Sequence, residues 1–397
     1  MLRRRRGDGA GIGRIQLRAF REAPTLQLGR LIRVATAGTI SHQPPKFAGA
    51  RRQVGGLSRW TLAKREDMVE RSHALFPTQE PPPAETRIVA FLGVTTSASS
   101  ITRIFPAWTR ACDLKLQLRC VDLPLGSPAG SYQALAAQLL ADPLVLGMVI
   151  TSHKRAMYEA VADLLVAADP YARAGREVSP LLATARGLVA DACDPRAVRL
   201  VLGELLGPRH WQDTAADALV LGSGGAGTAI ALTLLTRRVG QVLAGAEQQP
   251  RRLVLTDICA QRSHAARELL QPFAGTSELE VRTADRQQTT RLLATLPPGS
   301  LVVNATGMGK DTPGSPIAPG AVFPEGARIL DANYRGARPF LRQAHAQAAS
   351  RCLVVRDGWR YFVHGWTQAL APIVPGGVGG ERVTRFEAIA NATRRGN

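Results

Sequence analysis

The sequence predicts an α/β protein of two domains, each built on a mostly parallel β-sheet. Three observations support this prediction. The chain has 397 residues, which is enough for two domains that each bury their own core. After position 86, short apolar runs alternate with helical patterns of about 10–15 residues, as in βαβ units. A glycine-rich turn at 222–227 also joins an apolar run to a helical one.

The first βα series covers residues 87–168. Its strands are predicted at RIVAFLGV, LQLRCVDL and VLGMVIT, and its helices at SSITRIFPAWTRACDL, SYQALAAQLLAD and KRAMYEAVADLLVAA. The last helix opens with Lys154, directly after a strand that reads as buried. Because a lysine is costly to desolvate, Lys154 is either splayed into solvent or placed in a cleft for a purpose.

The second βα series follows a break in the pattern near Gly203–Asp217. Its six strands are predicted at DALVLGS, RRLVLTD, LEVRTAD, SLVVNAT, ARILDANY and RCLVVRD. A glycine-rich turn at 375–383 precedes a short last helix. We therefore place the domains at 81–205 and 206–356, followed by closing helices at 357–397.

The charge is concentrated at the start of the chain. The net charge is +19, of which residues 1–67 contribute +11, with 15 Lys and Arg against 4 Asp and Glu. Residues 1–80 are predicted to be a disordered basic extension. This segment is an upstream translation ahead of a start at Met68, a targeting peptide or a nucleic-acid arm. The remaining chain gives no other sign of nucleic-acid binding.

Cysteine spacing and hydropathy exclude several classes of protein. The five cysteines form no CxxC pair and no cluster at metal-ligand spacing, so we expect no metal site and reduced thiols in the cytoplasm. The uncharged stretch 218–236 is long enough for a membrane span. Its glycines, however, favour a strand, a turn and a helix, so no membrane segment is predicted.

The turn at 222–227 has the features of a dinucleotide site. It lies between a strand and a helix, where glycines permit the tight turn, the approach of a pyrophosphate and close packing of the helix. The candidate cofactor residues are Gly222, Ser223, Gly224, Gly225, Ala226, Gly227, Asp257, Asn304 and Thr306. Asp257 ends the next strand, where a carboxylate binds ribose hydroxyls and repels a 2′-phosphate. This favours NAD over NADP, although the nearby Arg262 could compensate a phosphate.

Six segments together resemble the shikimate dehydrogenase family. They are VITSHK, LVADACD, LGSGGAGTA, VVNATGMG, LDANY and DGWRYFVHG, in the family's order over about residues 88–372. The resemblance implies an N-terminal α/β substrate domain and a C-terminal Rossmann domain that face each other across a cleft, with closing helices that return to the first domain. It also implies interconversion of a cyclic alcohol and its ketone with a nicotinamide cofactor.

Two residues match the family's catalytic pair. Lys154 matches its lysine, and Asp194 matches the aspartate that accompanies the lysine. The chemistry agrees, because oxidation of an alcohol by hydride transfer requires loss of the hydroxyl proton. A lysine can take that proton, especially where desolvation lowers its pKa, and an aspartate can hold the ammonium in register.

The resemblance implies further ligands around this pair. For the cofactor it adds Met308 and Gly358. For the substrate it implies Ser97 and Ser99 or Ser100 and Thr102, with Thr151, Ser179 and Tyr334.

The substrate residues also depart from the family pattern. Ala192-Cys193 replaces Asn-Thr before the aspartate, Ser179-Pro180 replaces a second Asn-Thr pair, and Gly365 replaces a glutamine. Loss of the hydrogen-bonding side chains that contact the hydroxyl groups of a polyol normally removes recognition of that polyol. We therefore expect a dehydrogenase, as a monomer or homodimer, that acts on a small cyclic polyol or carboxylate other than shikimate. The alternatives are a quinate- or aminocyclitol-type dehydrogenase and a non-catalytic NAD-binding relative.

Overall fold

The protein is described here by a computed structural model that covers residues 86–236, 249–275, 277–310 and 312–395. The predicted basic extension, residues 1–80, lies outside the described residues. The described part of the chain contains two six-stranded sheets. None of its helices is long and apolar enough to cross a bilayer.

The first sheet contains the strands of the N-terminal half. They are β1 (Arg87–Gly93), β2 (Leu116–Asp122), β3 (Val145–Ile150), β4 (Leu165–Ala168), β5 (Pro180–Thr184) and β6 (Gly187–Ala190). Their order is β2-β1-β3-β5-β6-β4. β1 is parallel to β2 and β3, whereas β5 is antiparallel to β3 and β6. The helices of this half are α1 (Ile101–Ala111), α2 (Ala129–Ala141), α3 (Lys154–Ala160), α4 (Pro170–Gly175) and α5 (Asp194–Leu206).

The predicted helix over 154–168 is wrong in its second half. α3 ends at Ala160, a short 3-10 turn follows, and residues 165–168 form β4. The reason is tertiary, because β4 pairs in parallel with β6 at the edge of the sheet. The hairpin of β5 and β6 was not predicted, and backbone pairing with it outweighs the helical propensity of the Leu-Leu-Val-Ala-Ala run.

The second sheet contains the six strands predicted for the C-terminal half. They are β7 (Ala218–Leu221), β8 (Arg252–Asp257), β9 (Glu278–Thr283), β10 (Leu301–Asn304), β11 (Arg328–Asp331) and β12 (Val354–Arg356). Their order is β12-β11-β10-β7-β8-β9, and every pair is parallel. The direction of winding reverses between β7 and β10, where a doubly wound sheet opens a crevice for ligands. The predicted fold class is confirmed.

The remaining helices cover the second sheet and then return to the first. They are α6 (His210–Thr214), α7 (Gly225–Leu235), α8 (Ala260–Leu270), α9 (Arg286–Ala294), α10 (Pro339–Gln347), α11 (Trp359–Leu370) and α12 (Glu381–Arg395). α12 packs on α1, where Trp108 contacts Phe386 edge-on at 5.6 Å and its indole N–H donates to the Arg382 carbonyl at 3.0 Å. α11 and α12 thus complete an apolar core on one face of the first sheet.

The glycine-rich turn depends on close contact between its own two ends. Gly222 has φ +97°, a conformation that L side chains rarely adopt. A Cβ on Gly227 would overlap the Gly222 carbonyl oxygen, so the first turn of α7 lies directly on the end of β7. Glycine at 227 is therefore required by packing.

The first prediction compares two helical glycines. Gly227→Ala should lower the free energy of unfolding by about 2 kcal/mol or more, because the strand and α7 must separate. Gly203→Ala is the matched control. Gly203 is an exposed position in α5 with open space around it, so alanine there should raise stability by roughly 0.5–1 kcal/mol. Urea unfolding followed by circular dichroism measures both values. An equal effect of the two substitutions would contradict the packing argument.

Candidate active site

Lys154 lies in a cleft. Its position at the start of α3, directly after the central strand β3, points the side chain back toward the end of the sheet. The side chain is only 14% exposed and donates to Asp194 Oδ2. The alternative that Lys154 is splayed into solvent is therefore excluded.

Asp194 opens α5 and is held by several elements. Its carboxylate accepts hydrogen bonds from Lys154, from the Tyr361 hydroxyl of α11 at 3.3 Å and from the Ser179 hydroxyl at 3.5 Å. The predicted pair is thus in contact, and Ser179 touches it as well. The contact of Tyr361 with this pair was not predicted from the sequence.

An ion-pair network fixes the start of α5. Arg196, in its first turn, donates to Asp191 at 2.8 Å and to Asp169 at 3.1 Å. Asp169 also accepts from the backbone N–H of Ala192 at 3.0 Å. Because Ala192 and Asp191 lie just before Asp194, these bonds position the Asp194 carboxylate.

The pKa of Lys154 departs from the sequence-based expectation. Burial acts to lower this pKa, as expected, but the charges of Asp194 and Glu177 outweigh burial and raise it. Lys154 is therefore an ammonium group at neutral pH. Burial, with the nearby Asp194 charge, raises the pKa of Tyr361 well above its usual value, so its hydroxyl keeps the proton that it donates to Asp194. The site presents a proton donor, held by a carboxylate.

A cavity of about 210 Å³ opens in front of the pair. Its polar lining residues are Thr151, Lys154, Ser179, Cys193, Asp194, Lys310, Tyr334 and Tyr361. Its apolar wall includes Phe362 and Trp366 of α11, with the Tyr334 ring 4.6 Å from that of Phe362. The structure thus brings the predicted substrate residues Thr151, Ser179 and Tyr334 together with the pair.

The four predicted Ser and Thr ligands near the first strand do not line this cavity. Ser97 lies in a 3-10 turn, Ser99 and Ser100 lie between that turn and α1, and Thr102 is in the first turn of α1. The Thr102 hydroxyl donates to the Ser99 carbonyl at 2.8 Å. Neither alternative pair is therefore brought to Lys154 and Asp194 in this structure.

The glycine-rich turn is open to a ligand. Gly224 precedes α7 without a side-chain cap, and apart from its two chain neighbours no described residue lies within 4 Å of the position of a Cβ on it. Free N–H groups at the start of a helix attract an anion such as a pyrophosphate. The residues of this turn fit a dinucleotide.

Asp257 is already bonded on both carboxylate oxygens. It accepts from the Ser223 N–H at 2.8 Å, the Ser223 hydroxyl at 3.0 Å, the Cys259 N–H at 2.9 Å and Arg262 at 2.7 Å. Burial acts to raise the pKa of Asp257, but hydrogen bonds from Arg262 and Ser223 outweigh it and lower this pKa. The Arg262 side chain is 54% exposed, so its bond is the most accessible of these four.

The loop after β10 is tied together from within. The Asn304 side chain is fully buried, donates to Asp331 at 3.0 Å and accepts from the Thr306 hydroxyl at 2.7 Å. Thr306 in turn accepts from the Met308 N–H at 3.1 Å. Asn304 thus shapes the loop. Gly358 lines the cavity, where a Cβ would overlap the Ala332 carbonyl oxygen.

A second cavity, of about 430 Å³, joins the Lys154–Asp194 pair to the glycine-rich turn. Its lining residues are Thr151, Ser152, Lys154, Arg155, Glu177, Asp194, Gly225, Ala226 and Tyr361. The two sites predicted separately are therefore one site. Glu177 and Arg155 were missed, because a charged residue in a polar loop or on a short helix reads as solvated. No group of the described residues could hold a metal ion.

The fold and site define a Rossmann-type α/β protein with a lysine–aspartate pair beside its glycine-rich turn. No protein-family model matches the chain. A curated shikimate dehydrogenase (NADP(+)) from Aeropyrum pernix is 35% identical over 153 residues, which are 36% of this chain and 44% of that protein. The chain thus matches less than half of that relative's length.

Solved structures match much more of the chain. A quinate dehydrogenase from Corynebacterium glutamicum in complex with NAD aligns with TM-score 0.59 and 19% identity, over 77% of this chain and 99% of that one. A shikimate 5-dehydrogenase from Thermus thermophilus in complex with NADP(H) and shikimate aligns with TM-score 0.55 and 23% identity, over 78% and 100%. The fold is that of these two-domain enzymes, and the resemblance to the shikimate dehydrogenase family is confirmed.

The second prediction concerns the buried pair. Lys154→Met and Asp194→Asn should each lower the free energy of unfolding by about 3 kcal/mol at pH 7, because each removes the main opposite charge beside a buried ionised partner. The double variant should lose clearly less than the sum of the single losses. Urea unfolding gives the coupling. The exposed pair Arg209–Asp213, 69% and 55% exposed, is the control and should couple by less than about 1 kcal/mol. Equal coupling of both pairs would refute the assignment.

Proposed function

We propose that this chain is a nicotinamide-dependent dehydrogenase that interconverts a secondary alcohol and its ketone. The observation that carries the proposal is the shared cavity, in which Lys154 and Asp194 face Gly225 and Ala226 of the dinucleotide turn. A proton donor beside a dinucleotide site is what alcohol–ketone chemistry requires.

In this mechanism Lys154 carries the proton and its neighbours orient it. The bound nicotinamide supplies or accepts the hydride. In ketone reduction the Lys154 ammonium donates a proton from Nζ to the carbonyl oxygen, and in alcohol oxidation the neutral amine takes it back. Asp194 holds Nζ in place, and Tyr361 and Ser179 hold the carboxylate of Asp194. Because its pKa is raised, Lys154 is protonated at neutral pH, which is the state that ketone reduction requires.

The substrate proposed is a small cyclic polyol or carboxylate other than shikimate. Cys193 lines the cavity where the family has a hydroxyl, and burial raises the pKa of its thiol to about 12, so it remains neutral. Gly365 contributes no polar side chain, and Phe362 and Trp366 present apolar surface. Lys310 lines the same cavity and suits an anionic group. This balance favours a substrate whose hydroxyl pattern differs from that of shikimate, of the quinate or aminocyclitol type.

The proposed cofactor is NAD. Asp257 lies at the end of β8, where its carboxylate binds the ribose once Arg262 is displaced. The same displaced Arg262 can contact a 2′-phosphate, which keeps NADP as the alternative. The monomeric or homodimeric state and the cytoplasmic location stay predictions.

The third prediction tests turnover. The chain from Met68 onward is mixed with NADH or NADPH and a panel of cyclic keto acids and keto polyols, and absorbance at 340 nm is followed. Lys154→Met should reduce kcat by at least about 100-fold because it removes the proton donor, while dinucleotide affinity stays within about twofold.

Lys115→Met is the matched control, because Lys115 is exposed and remote from the cavity residues. Its activity should equal that of the unchanged chain. Dinucleotide binding without turnover on any substrate would instead support the non-catalytic relative. A chain that binds no dinucleotide would refute the proposed function.

The fourth prediction concerns cofactor choice. Arg262→Gln should weaken NADPH binding by about tenfold, because the 2′-phosphate loses its cation, and should leave NADH binding equal or tighter because Asp257 is freed. Titration of nucleotide fluorescence measures both dissociation constants. Arg267→Gln on the same helix is the control, since its guanidinium donates to the Val281 carbonyl. An equal loss of affinity for both nucleotides would contradict this role of Arg262.

A further inference from the structure

Glu177 is a buried acid that the mechanism above does not use. It lies between α4 and β5 and is only 5% exposed. Its N–H donates to the Ala172 carbonyl at 3.2 Å, and the next N–H, of Val178, donates to the Lys154 carbonyl at 3.2 Å. These backbone bonds place Glu177 beside Lys154. No described residue donates a hydrogen bond to the Glu177 carboxylate.

The carboxylate faces the cavity that joins the catalytic pair to the dinucleotide turn. Its Oε2 lies 3.7 Å from the position of a Cβ on Gly225, and both residues line the 430 Å³ cavity. A buried carboxyl without a hydrogen-bond donor is costly to ionise unless a cation lies nearby. Here the cation that acts most strongly on the carboxyl is Lys154.

Charged and titratable groups face Glu177 from every element around it. Lys154 and Arg155 come from α3, Asp169 from the start of α4, Asp194 from α5 and Tyr361 from α11. Burial, together with Asp194 and Asp169, raises the pKa of Glu177 to about 7, although Lys154 and Arg155 act to lower it. Glu177 in turn acts with Asp194 to keep Lys154 protonated. Glu177 is therefore a group of this site whose charge changes near neutrality.

We propose that Glu177 is a second acidic partner of Lys154, a positioning residue whose charge state sets how firmly Lys154 holds the proton that it donates. This inference rests on the proposed function for its catalytic part. An ionised Glu177 adds a second negative charge beside the ammonium and makes Lys154 a weaker acid. A protonated Glu177 leaves Asp194 as the single carboxylate partner and makes Lys154 a stronger acid.

The sign of the pH dependence follows from this coupling. As the pH falls through about 7, Glu177 takes up a proton and Lys154 releases its own more readily. The kcat/KM for ketone reduction should therefore rise across this range. In Glu177→Gln the partner is permanently neutral, so this step should be absent and the rate at pH 8.5 should approach the rate of the unchanged chain at low pH.

The first test measures Lys154 directly and needs no turnover. The chain is labelled briefly at about pH 9 with an amine-reactive anhydride, and modification of Lys154 relative to Lys115 is counted by peptide mass spectrometry. A loss of one nearby negative charge lowers a lysine pKa by roughly one unit, so Lys154 in Glu177→Gln should react about tenfold faster.

Two variants distinguish an effect of the Glu177 charge from an effect on the access of the reagent to Lys154. Glu177→Asp keeps the charge with a shorter side chain and should restore slow labelling. Glu159→Gln, an exposed glutamate on α3 with a side chain 56% exposed, should label like the unchanged chain. If Lys154 is labelled at the same rate in Glu177→Gln as in the unchanged chain, the proposal is overturned. Fast labelling in Glu177→Asp would also overturn it.

The second test is the pH profile of kcat/KM for reduction. The step near pH 7 should be present in the unchanged chain and in Glu177→Asp and absent from Glu177→Gln. Asp169 is the other group that would produce a step near pH 7, because burial and the neighbouring Asp191 raise its pKa to about 7 as well. A step that survives in Glu177→Gln and is lost in Asp169→Asn would overturn the proposal. If no variant turns over, the proposed function fails, whereas the labelling still decides the coupling.

Discussion

The buried ion pair between Lys154 and Asp194 is the constraint on which the rest of the site depends. A lysine that is 14% exposed must have a carboxylate partner, and that partner must be held still. Arg196, Tyr361 and Ser179 all serve this end, from α5, from α11 and from the loop before β5. The geometry of the first sheet, where β3 ends beside the start of α5, therefore brings Lys154 and the Asp194 carboxylate into contact.

The same pair explains why two sheets are needed. The first sheet supplies the lysine and the aspartate, and the second supplies the glycine-rich turn at its switch point. Neither sheet alone forms the 430 Å³ cavity, since Gly225 and Ala226 come from α7 and Lys154 from α3. Lys154 and the glycine-rich turn meet only where the ends of the two sheets face each other.

The sequence predicted most of this arrangement where a local pattern carried the information. Glycines at 222–227 and six apolar runs specified the second sheet, because each strand is short, buried and followed by a turn. The antiparallel hairpin of β5 and β6 escaped prediction, since its register depends on distant backbone partners in β3 and β4. Glu177 was not predicted as a site residue because the burial of a single acid leaves no periodic pattern in the sequence. The raised pKa of Lys154 was not predicted because it depends on two charges that folding brings together.

The return of the last helices to the first sheet has a consequence for synthesis on the ribosome. Val89, Phe91 and Trp108 are covered by Trp366 and Phe386, which are translated more than 250 residues later. Until then one face of the N-terminal half lacks its apolar cover, and such surfaces attract chaperones and other nascent chains. The apolar core on this face of the first sheet is therefore completed only after α11 and α12 have been synthesised.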